Sequence, residues 1–269
     1  MKDTLATGLH TAWELSTFLG YYSGVWKLDA NRSNQILGFH SVGGGSWGNI
    51  SPTRFRDCID YIDERFEIVD VPTAVSSSAS KQVALTFDDG FKDFIDNVVP
   101  ILHEYDAPAT VFVVAETLDD PSFTHMAGTE NEYLSRRDIE RLVDDELVTI
   151  GNHTRTHPFL SECSEDELHD EIIGAKERLE GLFDIDVTQF SYPANDFSER
   201  AAGIVRDSHE IGLTRRGNRE FVDPDGNPAL VPRVKGEHPS WRVRWELTDL
   251  GTNVGQSVQT HLGIESKLG

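Results

Sequence analysis

Two adjacent acids, Asp88 and Asp89, close the run Val83-Ala84-Leu85-Thr86-Phe87-Asp88-Asp89-Gly90. Val83, Leu85 and Phe87 alternate with smaller residues over a length that suits a buried β-strand. Neighbouring side chains on an extended strand point to opposite faces, so both acids serve one site only where the strand ends and the chain turns, and Gly90 permits such a turn. Alone, the run also reads as an ordinary Asp-Asp-Gly turn. A second strand-like run, Leu147-Val148-Thr149-Ile150, leads into Gly151-Asn152-His153-Thr154-Arg155-Thr156-His157-Pro158. Imidazoles four residues apart meet on one face of a helical turn, which is the spacing of the helical zinc-binding pair. Two imidazoles and one carboxylate leave a coordination position for water, as catalytic zinc sites do.

The elements around these groups alternate in type. Ile36–Val42 reads as a first strand, followed by Gly43-Gly44-Gly45, which lacks the Lys-Ser or Lys-Thr of a phosphate loop. Ser51-Pro52 starts a helix with Phe55, Ile59 and Ile62 on one face. Ile95, Val98, Val99 and Leu102 mark another, broken or restarted at Pro100. Ala109–Ala115 is a buried strand, and 116–133 a polar surface loop with His125 exposed. Ser135 and Ser164 cap two further helices; the second carries the stripe Leu168, Ile172, Ala175, Leu179 and Leu182, with its acids on a solvated face. Val187–Tyr192 is a strand, and Gly212-Leu213-Thr214 and Leu230-Val231 read as closing strands. Strands alternating with helices, without an internal repeat, indicate one α/β domain. Residues 1–34 are aromatic and are expected to pack on the domain formed by 35–269.

Composition narrows the function. The chain has 46 acidic and 24 basic residues in 269, a net charge of −22, with arginine outnumbering lysine. Such a surface stays solvated in high salt, where self-repulsion is screened, so salt adaptation is the expectation. A double-stranded nucleic acid partner is excluded, since phosphate binding needs clustered cations. Between Arg200 and Trp245, however, nine basic residues face six acidic ones; the segment either lines a cleft for an anionic polymer or pairs with the acidic surface. Cys58 and Cys163 are expected as buried free thiols. No apolar run is long enough to span a membrane, and the N-terminus does not read as a secretory signal, so a cytoplasmic or cell-surface-associated protein is expected.

Thr86–Gly90 with Phe91, Pro100-Ile101-Leu102 and Pro108–Val113 closely resembles the polysaccharide deacetylases of carbohydrate esterase family four. Gly151–Pro158 matches that family's second motif, and Phe190-Ser191-Tyr192-Pro193 is similar to its third. The resemblance implies a single distorted (β/α) barrel of about seven strands and metal-dependent removal of N-acetyl or O-acetyl groups from a carbohydrate. It makes Asp88 the general base and Asp89, His153 and His157 the ligands of a divalent metal, zinc first, with cobalt, nickel or iron as alternatives. The backbone N–H of Ala194 becomes the oxyanion donor.

Two departures stand out. The third motif's usual arginine, tyrosine and glycine positions carry Ser191, Ala194 and Asn195; Tyr192 is the expected replacement for part of the lost substrate contact, and the resemblance sets Arg233 near Asp88. The late-strand histidine that serves as general acid in much of the family is absent from Leu230–Val234. A permuted branch, similar to poly-N-acetylglucosamine deacetylases, carries it on the first strand, where His40 stands; His209 and His238 are weaker candidates. The expected partner is an acetylated glycan or amino sugar. Rival readings are a hydrolase of small non-sugar amides and a catalytically dead carbohydrate-binding relative, the latter disfavoured by the intact Asp88, Asp89, His153 and His157.

Overall fold

The computed structural model describes residues 18–24, 33–45, 48–77, 81–120, 123–124, 132–215 and 222–251. Most of the N-terminal segment 1–34 lies outside the described residues, as does His125. The described strands, in chain order, are β1 (Gln35–Phe39), β2 (Ser41–Val42), β3 (Asn49–Ile50), β4 (Glu67–Ile68), β5 (Gln82–Phe87), β6 (Ala109–Val113), β7 (Val148–Asn152), β8 (Gln189–Ser191), β9 (Ile211–Arg215) and β10 (Val231–Lys235).

β5 through β10 pair in parallel one after another, and β1 lies between β10 and β5, pairing with the latter from Gln35↔Val83 to Phe39↔Phe87. The seven strands thereby close the expected barrel. β4 is an appendage, paired with the start of β5 at Glu67↔Gln82. All seven strands run the same way, so their C-terminal ends gather at one mouth, the end from which barrel enzymes present their functional groups. The ring is thinnest between β7 and β8, which share the single register pair Asn152↔Phe190.

These segments form barrel strands because they are apolar on both faces. Every residue of β5 and β6 is buried. Ile36, Ala84, Phe112, Leu213 and Val231 fill the interior. On the outer side Leu37, Phe39, Leu85 and Phe87 pack beneath Phe55, Ile59 and Ile62 of the helix Pro52–Asp63. There the Phe39 ring stacks on Phe87 and meets Phe55 edge-on, each at 5.3 Å between centroids. Ser51 caps that helix by accepting the Arg54 N–H. Ser135 with Asp138 and Ser164 with Glu167 form reciprocal capping boxes.

Three local expectations change. The first strand breaks at His40, so its side chain escapes the strand's alternation. The stripe Leu168–Leu182 lies on a helical run that widens into a π-type turn at Asp170–Gly174. A similar wide turn, Phe94–Val98, precedes the helix Val99–Tyr105 and lets Pro100 sit at its N-terminus. The two cysteines are free, as expected, but half-buried. Among the described residues, no helix is long and apolar enough to cross a membrane.

Candidate active site

β5 stops at Phe87, and Asp89 and Gly90 follow with φ of 71° and 65°. Two consecutive left-handed residues swing the chain round, bringing Asp88 and Asp89 to the same mouth. Aspartate tolerates that conformation better than most residues, and glycine adopts it freely.

The histidine pair is assembled differently from the helical turn its spacing suggested. His153 follows the end of β7, and the loop bends through Thr154 and His157 at φ of 67° and 61°. Hydrogen bonds hold this shape. The Asn152 side-chain oxygen accepts the Thr154 N–H at 2.9 Å, and the Thr154 hydroxyl oxygen accepts the His157 N–H at 3.0 Å. Glu171 accepts the N–H groups of Arg155 and Thr156 at 3.0 and 2.8 Å, and the Thr156 hydroxyl at 2.6 Å. Glu171 is therefore buried beneath the histidine loop, not on a solvated face. It lies in the wide turn Asp170–Gly174, where the altered winding breaks the simple helical phase.

The two imidazoles converge on Asp89. Their Nε2 atoms lie 3.4 Å (His153) and 3.5 Å (His157) from Asp89 Oδ1, and the three donor atoms are within 4.8 Å of one another. His153 Nδ1 donates to the Ser191 carbonyl at 2.8 Å. A carbonyl only accepts, so the proton is on Nδ1 and the Nε2 lone pair faces Asp89. One buried carboxylate and an imidazole already fixed in its ligating tautomer fit a divalent cation. Asp89, His153 and His157 are the residues able to hold it.

Asp88 sits beside this set in a separate cradle. Arg233 donates to both carboxylate oxygens, at 2.8 and 2.7 Å, and the Ser191 hydroxyl donates at 3.0 Å. Arg233 also reaches Thr86 Oγ1 at 3.1 Å. Burial alone would raise the Asp88 carboxyl, but the Arg233 charge, supported by His153 and His40, holds it well below the usual carboxylate range.

His40 faces Asp88 with Nε2 3.9 Å from Oδ2. Its Nδ1 is hydrogen-bonded to Glu237, whose other oxygen takes the Lys235 ammonium at 2.9 Å. Arg54 clamps the backbone carbonyls of Glu237 and His238. Gly48 covers the pair so closely that a Cβ there would lie 2.9 Å from both Glu237 Oε1 and His40 Cβ. Burial by itself would lower the His40 pKa; the hydrogen bond to Glu237 and the charges of Asp89, Glu237 and Asp88 raise it instead.

Ala194 and Asn195 follow β8 with φ of 51° and 58°, and the Asn195 side chain accepts the Arg215 N–H. Tyr192 lines the cavity wall, yet its hydroxyl is committed to the Ala229 carbonyl at 2.9 Å and the residue is 2 % exposed. His209 lies elsewhere, bonded to Asn152 and Ser208, with its pKa pushed down to about 3 by burial. His238 contacts Glu246. Cys163 reaches only the Phe159 carbonyl, outside the donor set.

His40, Asp88, Asp89, His153, His157 and Arg233 all line one cavity of about 370 Å³ at the barrel mouth, a size suited to a small ligand. Residues 76–213 match the model of the family described as polysaccharide deacetylase. The chain belongs to that family. A stretch of 99 residues is 34% identical to a chitooligosaccharide deacetylase of Bradyrhizobium sp. (strain ANU 289), covering 36% of this chain and 38% of that protein. Another of 102 residues is 32% identical to a peptidoglycan-N-acetylglucosamine deacetylase of Bacillus cereus, covering 38% of this chain and 32% of that one. The fold is similar to that of IcaB from Ammonifex degensii, with a TM-score of 0.69 at 20% identity over 80% of this chain and 97% of that one. Within this member of the family the guanidinium beside Asp88 comes from Arg233 on β10, while Ser191 occupies the third-motif arginine position. Glu237 is the residue the sequence concealed: it lies in the irregular link after β10, with no motif to mark it.

Proposed function

We propose that the protein is a metal-dependent deacetylase that removes N-acetyl groups from an acetylated glycan or amino sugar. The observation that carries this reading is the convergence on one cavity of an Asp-His-His donor set, a separately cradled carboxylate and a carboxylate-paired histidine. The relatives' named substrates, chitooligosaccharide and peptidoglycan N-acetylglucosamine, support the substrate class. Zinc suits the donors best, and cobalt, nickel or iron would fit them too. A divalent cation held by Asp89, His153 and His157 would supply Lewis acidity toward water and the acetyl oxygen.

The chain's own groups then divide the proton work. Asp88, kept anionic by Arg233, orients the attacking water and takes its proton. The Ala194 N–H donates to the acetyl oxygen as it gains charge. His40, kept protonated by Glu237, gives its proton to the sugar nitrogen as the carbon–nitrogen bond breaks, so acetate and a free amine leave. An O-acetyl ester would be cleaved by the same groups with less need of His40. Metal analysis of the purified protein, followed by assay of amine release from acetylated chito-oligosaccharides, tests the reading. The expected result is about one divalent ion per chain, as one such site would hold, with amine formed; metal-free protein that regains no activity on adding zinc, cobalt, nickel or iron would refute it.

A further inference from the structure

The charge at the cavity runs against that of the chain. In a protein of 46 acidic residues, the acids among the described residues lining the cavity are Asp88 and Asp89. Both are sunk in its floor, 6 % and 1 % exposed. Asp88 is neutralised by Arg233 and Asp89 is faced by two imidazoles. What the mouth offers to solvent is cationic: exposed Arg215, and half-buried Lys235, whose ammonium is shared with Glu237 at 2.9 Å.

The basic segment from Arg200 to Trp245 now divides into spent and unspent charges. Arg200 lies 3.8 Å from Glu165, Arg206 3.7 Å from Asp207, and Arg242 2.8 Å from Glu246. Arg244 covers the Tyr61 ring, and Arg233 grips Asp88. Among the described arginines of that segment, Arg215 and Arg244 have no carboxylate partner; Arg244 lies over the Tyr61 ring, which leaves Arg215 as the uncompensated guanidinium of the cavity lining. Its place is fixed by register. Arg215 pairs with Arg233 across β9 and β10, and residues paired in a sheet project on the same face. Ile211 and Leu213, four and two positions earlier, belong to the barrel interior, so Arg215 continues that inner row to the rim. Like charges side by side on neighbouring strands repel; Asp88 compensates one guanidinium, and no carboxylate among the described residues compensates the other. The Arg215 backbone N–H is anchored on Asn195, next to Ala194, which ties the strand end carrying Arg215 to the turn assigned to the acetyl group, and all three residues line the one cavity.

We propose that Arg215, assisted by Lys235, is an anion subsite, and that the glycan cleaved here bears a carboxylate, sulfate or phosphate on a sugar near the acetylated one. The inference rests on the deacetylase reading and deepens it: the substrate class is an acidic glycan. A guanidinium fork recognises such oxyanions bidentately. The acidic outer surface repels a polyanion, so the cavity mouth is the place where it can settle.

The test uses metal-loaded protein at fixed ionic strength and three acetylated oligosaccharides. One alternates N-acetylglucosamine with glucuronate, the second is the same oligomer with its carboxyls reduced to alcohols, and the third is a 6-sulfated chito-oligosaccharide. The parent's kcat/KM is expected to favour the uronate oligomer over its reduced form by about tenfold or more. In R215Q that ratio should fall toward one. Sulfate performing like uronate supports a subsite reading charge; sulfate performing like the reduced oligomer supports one fitted to carboxylate. Equal parent rates on the uronate and reduced oligomers, or a preference that survives R215Q, overturn the inference. If no oligomer yields amine, the deacetylase reading fails, and calorimetric titration of the uronate oligomer decides the subsite alone. Parent affinity about tenfold above R215Q upholds it; equal affinities discard it.

Discussion

Asp89, His153 and His157 come from the ends of β5 and β7, and backbone largely sets their aim: left-handed residues at Asp89, Thr154 and His157, with hydrogen bonds spanning two or three positions, braced from outside by Glu171 and the Ser191 carbonyl. The opposite wall has the reverse construction. His40 and Glu237 are 197 residues apart and are aimed by pairing with each other. The donor wall is thus largely a backbone template, and the proposed reading makes each of its side chains indispensable. The acid wall is a side-chain pair, in which that reading expects loss of the outer member to weaken the inner one without abolishing it.

The largest expected effect lies on the donor wall. His153→Ala or His157→Ala should lose bound metal and all measurable turnover while circular dichroism stays that of a folded barrel. Asp88→Asn should keep the metal yet lose about 10²–10⁴ in rate, because the amide cannot accept the water's proton. Equal metal content in the histidine variants and the parent would break the comparison at its root.

On the acid wall, His40→Ala should retain metal and lower amide hydrolysis by about 10²–10⁴, the usual worth of acid assistance. Its effect on an acetate ester should be smaller, since an alkoxide leaves more readily than an amide anion. Equal losses on the two substrates would remove His40 from the role of acid.

Glu237→Gln should cost less, about tenfold, and its signature is in the pH profile. With His40 in its proposed role as the acid, activity should be present below its raised pKa and be lost as pH rises through it. Removing the Glu237 carboxylate takes away a group that raises this pKa, so the alkaline limb should move to lower pH. A limb that stays in place would show that Glu237 packs against His40 without tuning it.

The smallest effect should separate the walls from the outer surface. Screening the −22 charge should raise the melting temperature from dilute buffer into molar salt, by several degrees. Metal content should not change, because the donor wall is buried. A flat or falling melting temperature would rule out salt adaptation.

The sequence made the donor wall legible because its parts are local. A strand ending in Asp-Asp-Gly and a strand ending in His-x-x-x-His each declare themselves within eight residues; alternating elements indicated one α/β domain, and the family resemblance implied its barrel form. The spacing of the histidines misled about their geometry, since four residues also fit a bend braced from below by Glu171. Glu171 was hidden because a heptad-like stripe predicts an unbroken helix, and the wide turn at Asp170–Gly174 shifts the phase. Glu237 and Arg215 were hidden for another reason: their significance lies in what faces them across the barrel, and neither partner is near in sequence. Tyr192 taught the opposite lesson, since an aromatic residue in a motif spends its hydroxyl inside the wall.

The grip of Arg233 on Asp88 spans 145 residues, and a chain is made from its N-terminus. Asp89, His153 and His157 therefore leave the ribosome well before β10, and the cation-binding set can form while the barrel is still open. Asp88 acquires its Arg233 partner only when the last strand docks, a long-range closure that is slow by nature. His40 likewise waits for Glu237. On the proposed reading, loading would precede competence, and the docking of the final strand would act as the release of a safety catch.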